Sequence, residues 1–136
     1  MENKINLETA ENEFNRFGDS MDLDFDMNLM NEDTKKDFEL HKKRIIKCIM
    51  DGSLVISENG EPTYTPKMVD GANPITFYEP TGATLSASDG KGKNESFKMM
   101  YSSMADMTKQ SAGLFSKMKN RDLKVCISLY LLFLGQ

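Results

Sequence analysis

The feature that most restricts this chain is its last apolar stretch, residues 121–134, RDLKVCISLYLLFL. Leu123, Ile127, Leu131 and Leu134 recur at helical spacing and form one face, which is expected to meet the rest of the fold. Val125, Cys126, Leu129, Tyr130, Leu132 and Phe133 fill most of the remaining circumference. A helix apolar nearly all round must be enclosed, by its own fold or by another chain. Asn120 is placed to cap it. The apolar part is far too short to cross a bilayer, so no membrane association is expected.

The chain has 136 residues, enough for one domain, or for a smaller domain with a tail. Charge divides it unevenly. Residues 1–33 carry ten carboxylates against Lys4 and Arg16, while the whole chain is at only -4. The remainder is therefore net basic, and the acidic segment is expected to attract it weakly or to attract a basic partner. This divides the chain into an acidic flexible arm, 1–33, and a single α+β domain, 34–136. Within the arm, Met21, Leu23, Phe25 and Met27 alternate with Asp22, Asp24 and Asp26. Two readings stay open: a disordered acidic tail, or a short motif whose apolar residues, Leu23 and Phe25 above all, enter pockets on a partner.

The domain reads as a three-stranded antiparallel meander packed with about four helices. A helix is expected over residues 32–50, capped by Thr34, with Phe38, Ile45 and Ile49 on one face. Its run His41-Lys42-Lys43-Arg44 is flanked by acids within the same element, so it reads as a solvated face. Asp51-Gly52 stops it. Strands follow at 54–56, 62–65 and 75–78, the first two joined by a turn through Asn59-Gly60. Pro62 and Pro66 lack donors, which places the second strand at an edge or keeps it short. A brief helix over 83–88, with Thr81 as its cap, leads into the loop 89–94. That loop contains GKGK but lacks the spacing and the preceding strand of a phosphate loop.

Residues 95–108 form a strongly periodic helix through Phe97, Met100, Tyr101, Met104 and Met107. Leu114, Phe115 and Met118 continue its stripe in a shorter helix. The stripe fits a core face. It also fits an adaptable partner surface, because flexible thioethers suit contacts with several shapes. The partner surface expected on this second reading comprises Met100, Met104 and Met107 with Leu129, Leu132 and Phe133.

Little in the chain points to catalysis. His41 is the only histidine, and no Gly-x-Ser-x-Gly elbow accompanies it. The acids gather in a segment that offers no rigid scaffold for paired carboxylates. Cys48 and Cys126 with His41 are too few and too scattered for a zinc site, and both thiols are expected to act as small buried hydrophobes. No catalytic, cofactor or metal site is expected. The first thirty residues are acidic rather than basic then apolar, so no signal peptide is expected and the cytoplasm is the expected location.

The segment Ile75-Thr76-Phe77-Tyr78-Glu79-Pro80-Thr81-Gly82-Ala83-Thr84-Leu85-Ser86-Ala87-Ser88-Asp89 resembles the strand–Glu-Pro-Thr–helix segment of tail assembly chaperones of tailed bacteriophages, the kind typified by phage Mu. The order of hairpin, junction and apolar ending with Leu134-Gly135 is similar over roughly residues 50–136. The acidic segment lies outside the pattern, and Thr84 stands where the family usually has an acidic or bulky residue. The resemblance implies a non-enzymatic chaperone that binds the tape measure protein in the host cytoplasm while the tail tube assembles. A structural virion accessory at the head–tail junction or capsid is the alternative, with self-association possible. A nucleic-acid module using Lys42, Lys43, Arg44, Lys91 and Lys93 is the remaining reading, and nucleic acid is not the expected partner.

Overall fold

A computed structural model describes residues 4–86 and 96–134. Among these, six α-helices accompany one three-stranded antiparallel sheet, a small α+β fold. The loop with GKGK and the end of the expected helix over 83–88 lie outside the described residues.

Helix α1 (Leu7–Ser20) corrects the expectation of a flexible arm. Asn6 caps it, its side chain accepting from the Thr9 amide at 2.8 Å. Ala10, Phe14 and Phe17 fall on one face and are fully buried. The carboxylates of Glu8, Glu11 and Asp19 stay on the exposed side. Burial of two phenylalanines outweighs the charge because the acids need not follow them inward. The amides of Lys4 and Ile5 also bond to the Met50 carbonyl, which ties the segment to the end of the next helix.

The alternating segment after α1 is neither a free tail nor a paired strand. Met21, Leu23, Phe25 and Met27 are half-buried, and Asp22, Asp24 and Asp26 are exposed. Leu23 and Phe25, expected to enter a partner's pockets, pack instead on this chain's own core. Phe25 stacks on Phe14 with ring centroids 4.8 Å apart and lies 5.1 Å from Phe38. A short 3-10 turn, Met27–Leu29, closes the segment.

Helix α2 (Glu32–Asp51) begins one residue after Asn31, whose side chain accepts from the Thr34 amide; Thr34 is therefore capped and is not the cap. It packs against both α1 and the final helix. Strands β1 (Leu54–Ile56), β2 (Pro62–Tyr64) and β3 (Ile75–Thr76) form a sheet in the order β1-β2-β3. The strand with Pro62 is thus central, and it is short. Pro62 is tolerated there because it is the strand's first residue, and its carbonyl still accepts from Phe77. Leu54, Ile56, Tyr64 and Ile75 point inward. Gly60, at φ +83°, makes the turn between β1 and β2. Arg16 of α1 donates to the carbonyls of Ile56 and Ser57, at 2.8 and 2.6 Å, satisfying groups where β1 runs out.

Helix α3 (Gly82–Ser86) follows the Glu79-Pro80-Thr81 junction. The observed capping bond runs from the Thr81 amide to Thr84 Oγ1 at 3.1 Å, and the buried Thr84 hydroxyl donates to Asp106 at 2.6 Å. Helix α4 (Ser96–Thr108) and helix α5 (Ala112–Ser116) pack together, with α3 against α4. Helix α6 (Asn120–Phe133) starts after Lys119, so Asn120 is its first residue and not its cap.

Candidate partner-binding surface

The orientation of α6 decides which residues can meet a partner. Its buried face holds Val125, Cys126, Leu129, Leu132 and Phe133 together with Asp122 and Ser128. Leu123, Ile127, Leu131 and Leu134 are only half-buried. The helix is turned by about half a revolution from the expected orientation. Leu129, Leu132 and Phe133 are core, as are Met104 and Met107 of α4, so the surface expected from sequence does not exist as such. Of that set only Met100 stays half-exposed, and Phe97, expected on the core face, is exposed.

Two polar residues account for the turn. Asp122 is fully buried and accepts from Tyr64 Oη at 2.6 Å, the Lys67 amide at 2.8 Å and the Met68 amide at 3.0 Å. Burial, and then the bond to Asp122, push the Tyr64 phenol far above its ordinary range. Ser128, also fully buried, accepts from Arg44 at 2.8 Å and lies 2.9 Å from His41 Nδ1. These bonds are made only with the Asp122 and Ser128 side of α6 inward. Leaving either group unpaired in the core would cost about 1–3 kcal/mol.

The neighbouring titratable groups are explained by the same packing. Burial lowers the pKa of His41, Arg44 lowers it further, and Asp37 opposes both. The hydrogen bond between its ring and the Ser128 hydroxyl binds α2 to α6. Ser128 therefore stands beside a base, but it is closed to substrate and its oxygen carries an arginine donor. Burial opposes ionisation of Asp51, yet bonds from Ser53 and Lys67 outweigh it and hold the carboxyl below its usual range. Lys67 Nζ lies 2.9 Å from Asp51. Cys48 and Cys126 are buried and unbridged, and burial raises the pKa of both thiols. No cluster of three or more His, Cys, Asp or Glu able to hold a metal occurs among the described residues.

Outside its buried face α6 carries a half-exposed stripe of Leu123, Ile127, Leu131 and Leu134, spaced to meet another helix, although Leu123 and Ile127 also pack in part on the core. At Leu134 it opens into a groove of about 410 Å³ lined also by Met21, Leu23, Glu79, Pro80, Leu85 and Phe133. Leu85 is 58% exposed at its rim. The groove thus joins three stretches remote in sequence: the alternating segment, the Glu-Pro-Thr junction and the end of α6. A second cleft, about 570 Å³, lies between the loop 66–75 and α5. Asp122 holds the first wall of this cleft through the amides of Lys67 and Met68.

Comparison with protein-family models, with curated proteins and with solved structures finds no match to this chain. No helix among the described residues is long and apolar enough to cross a membrane.

Proposed function

We propose that the protein is a non-enzymatic assembly chaperone that covers an apolar stripe on a helical partner, and that the partner is the tape measure protein of a tailed phage. One observation carries this reading: the half-exposed stripe Leu123, Ile127, Leu131 and Leu134 that runs into the groove at Leu85. Its spacing matches the ridge of a second helix, and burying such a stripe supplies most of the free energy of helix-in-groove binding. A tape measure protein is a long helical chain with apolar stripes before the tube closes on it, and covering them keeps it from aggregating. The resemblance around Glu79-Pro80-Thr81 supports the same choice, because that junction forms one wall of the groove.

Co-expression with the tape measure protein of the same phage tests the proposal. A soluble complex is expected, and it is expected to be lost in the double variant Ile127→Asp with Leu131→Asp. Mature particles are expected to lack the protein. Stoichiometric protein in purified particles would instead favour the structural virion role.

A further inference from the structure

We propose that the protein also self-associates head to tail, with Leu29 of one copy entering the cleft between the loop 66–75 and α5 of the next. Leu29 is 74% exposed, more than any other large hydrophobic side chain among the described residues. It stands outward on the 3-10 turn because Met27 and Met30 on either side pack inward on the core. The turn is fixed locally: the Asp26 side chain accepts from the Asn28 amide at 3.0 Å. Around this knob Asp24, Asp26, Glu32 and Asp33 are all exposed.

The cleft is complementary in shape and charge. Val69, Ile75, Leu114 and Met118 give it apolar walls, and Lys117 lies at its edge. None of its lining residues is acidic in a chain of net charge -4, although exposed Asp70 belongs to the same loop. Lys119, two residues on, is exposed as well. An apolar knob ringed by carboxylates fits an acid-free apolar cleft beside lysines, with long-range attraction aiding encounter. Both surfaces are held in place before they meet, so little ordering opposes the contact. Knob and cleft are different patches of one chain, so the contact is heterologous and produces a ring or an open chain of copies.

Sedimentation of the purified full chain over a concentration series tests this. Wild-type protein is expected to form species larger than dimers, weakened by added salt. Leu29→Asp and Val69→Asp, each at an exposed position, are expected to be folded by circular dichroism and monomeric. Mixed together, they are expected to form a one-to-one dimer and nothing larger, since one keeps an intact cleft and the other an intact knob. The Ile127→Asp, Leu131→Asp protein is expected to self-associate like wild type, which separates this contact from the helical-partner surface. A monomeric wild type, association unchanged by either single variant, or a monomeric mixture would each overturn the proposal.

Discussion

The ring of Phe25 occupies the space that a Cβ on Gly18 would need. Gly18 is buried in the last turns of α1, and Phe25 reaches it while stacked on Phe14. The aromatic contacts with Phe17 and Phe38 leave the ring little room to retreat. Gly18→Ala is therefore expected to destabilise the fold by about 1–3 kcal/mol through overpacking, despite the better helix propensity of alanine. In a Phe25→Ala background the same change is expected to be neutral or stabilising. Chemical denaturation of the four proteins of this cycle checks the coupling; additive effects would mean that the two residues do not meet.

Asp122→Asn is expected to lower stability by about 1–3 kcal/mol. The two oxygens of Asp122 face donors only, and an amide nitrogen there must confront one of them. Thermal denaturation measures the loss. An unchanged melting temperature would show that the loop 66–75 is held by something else.

The two sides of α6 are expected to respond oppositely to charge. Leu132→Asp with Phe133→Asp places carboxylates in the core and is expected to abolish cooperative unfolding. Ile127→Asp with Leu131→Asp alters the half-exposed stripe and is expected to leave a folded protein. Circular dichroism and melting curves of both variants decide this, and the reverse result would restore the orientation expected from sequence.

His41 makes stability depend on pH below neutrality. Burial and then Arg44 depress its pKa beneath the ordinary 6.5, so the unfolded chain takes up the proton more readily than the folded one. Stability from this group is full above about pH 6.5 and falls as the pH drops toward the lowered native value. Denaturation between about pH 7.5 and pH 5.5 is expected to show that fall, and His41→Gln is expected to flatten it. An identical slope in the variant would assign the fall to other groups.

The sheet and α2 were legible in the sequence because their signals are local: an Asn-Gly turn, prolines, a glycine stop and a single apolar face. Helix α1 was obscured by its acids, although Ala10, Phe14 and Phe17 carry the helical period and Asn6 the cap. The orientation of α6 was not legible. A helix apolar on every side has no pattern that selects a face, and the choice was made by the partners of Asp122 and Ser128, Tyr64 and His41, which lie 58 and 87 residues away in the chain. The surface expected at Leu129, Leu132 and Phe133 followed from giving the regularly spaced face of Leu123, Ile127, Leu131 and Leu134 to the core, a choice that the buried bonds of Asp122 and Ser128 reverse.

The two cysteines turn the core into its own reporter. Cys48 on α2 and Cys126 on α6 are 2% and 0% exposed, and burial raises the pKa of both thiols. A thiol reacts as its thiolate, so alkylating reagents meet neither until the chain opens. The rate of labelling at each, read by mass spectrometry, therefore times the separation of α2 and α6 without an added probe. A partner that binds the closed form would slow both.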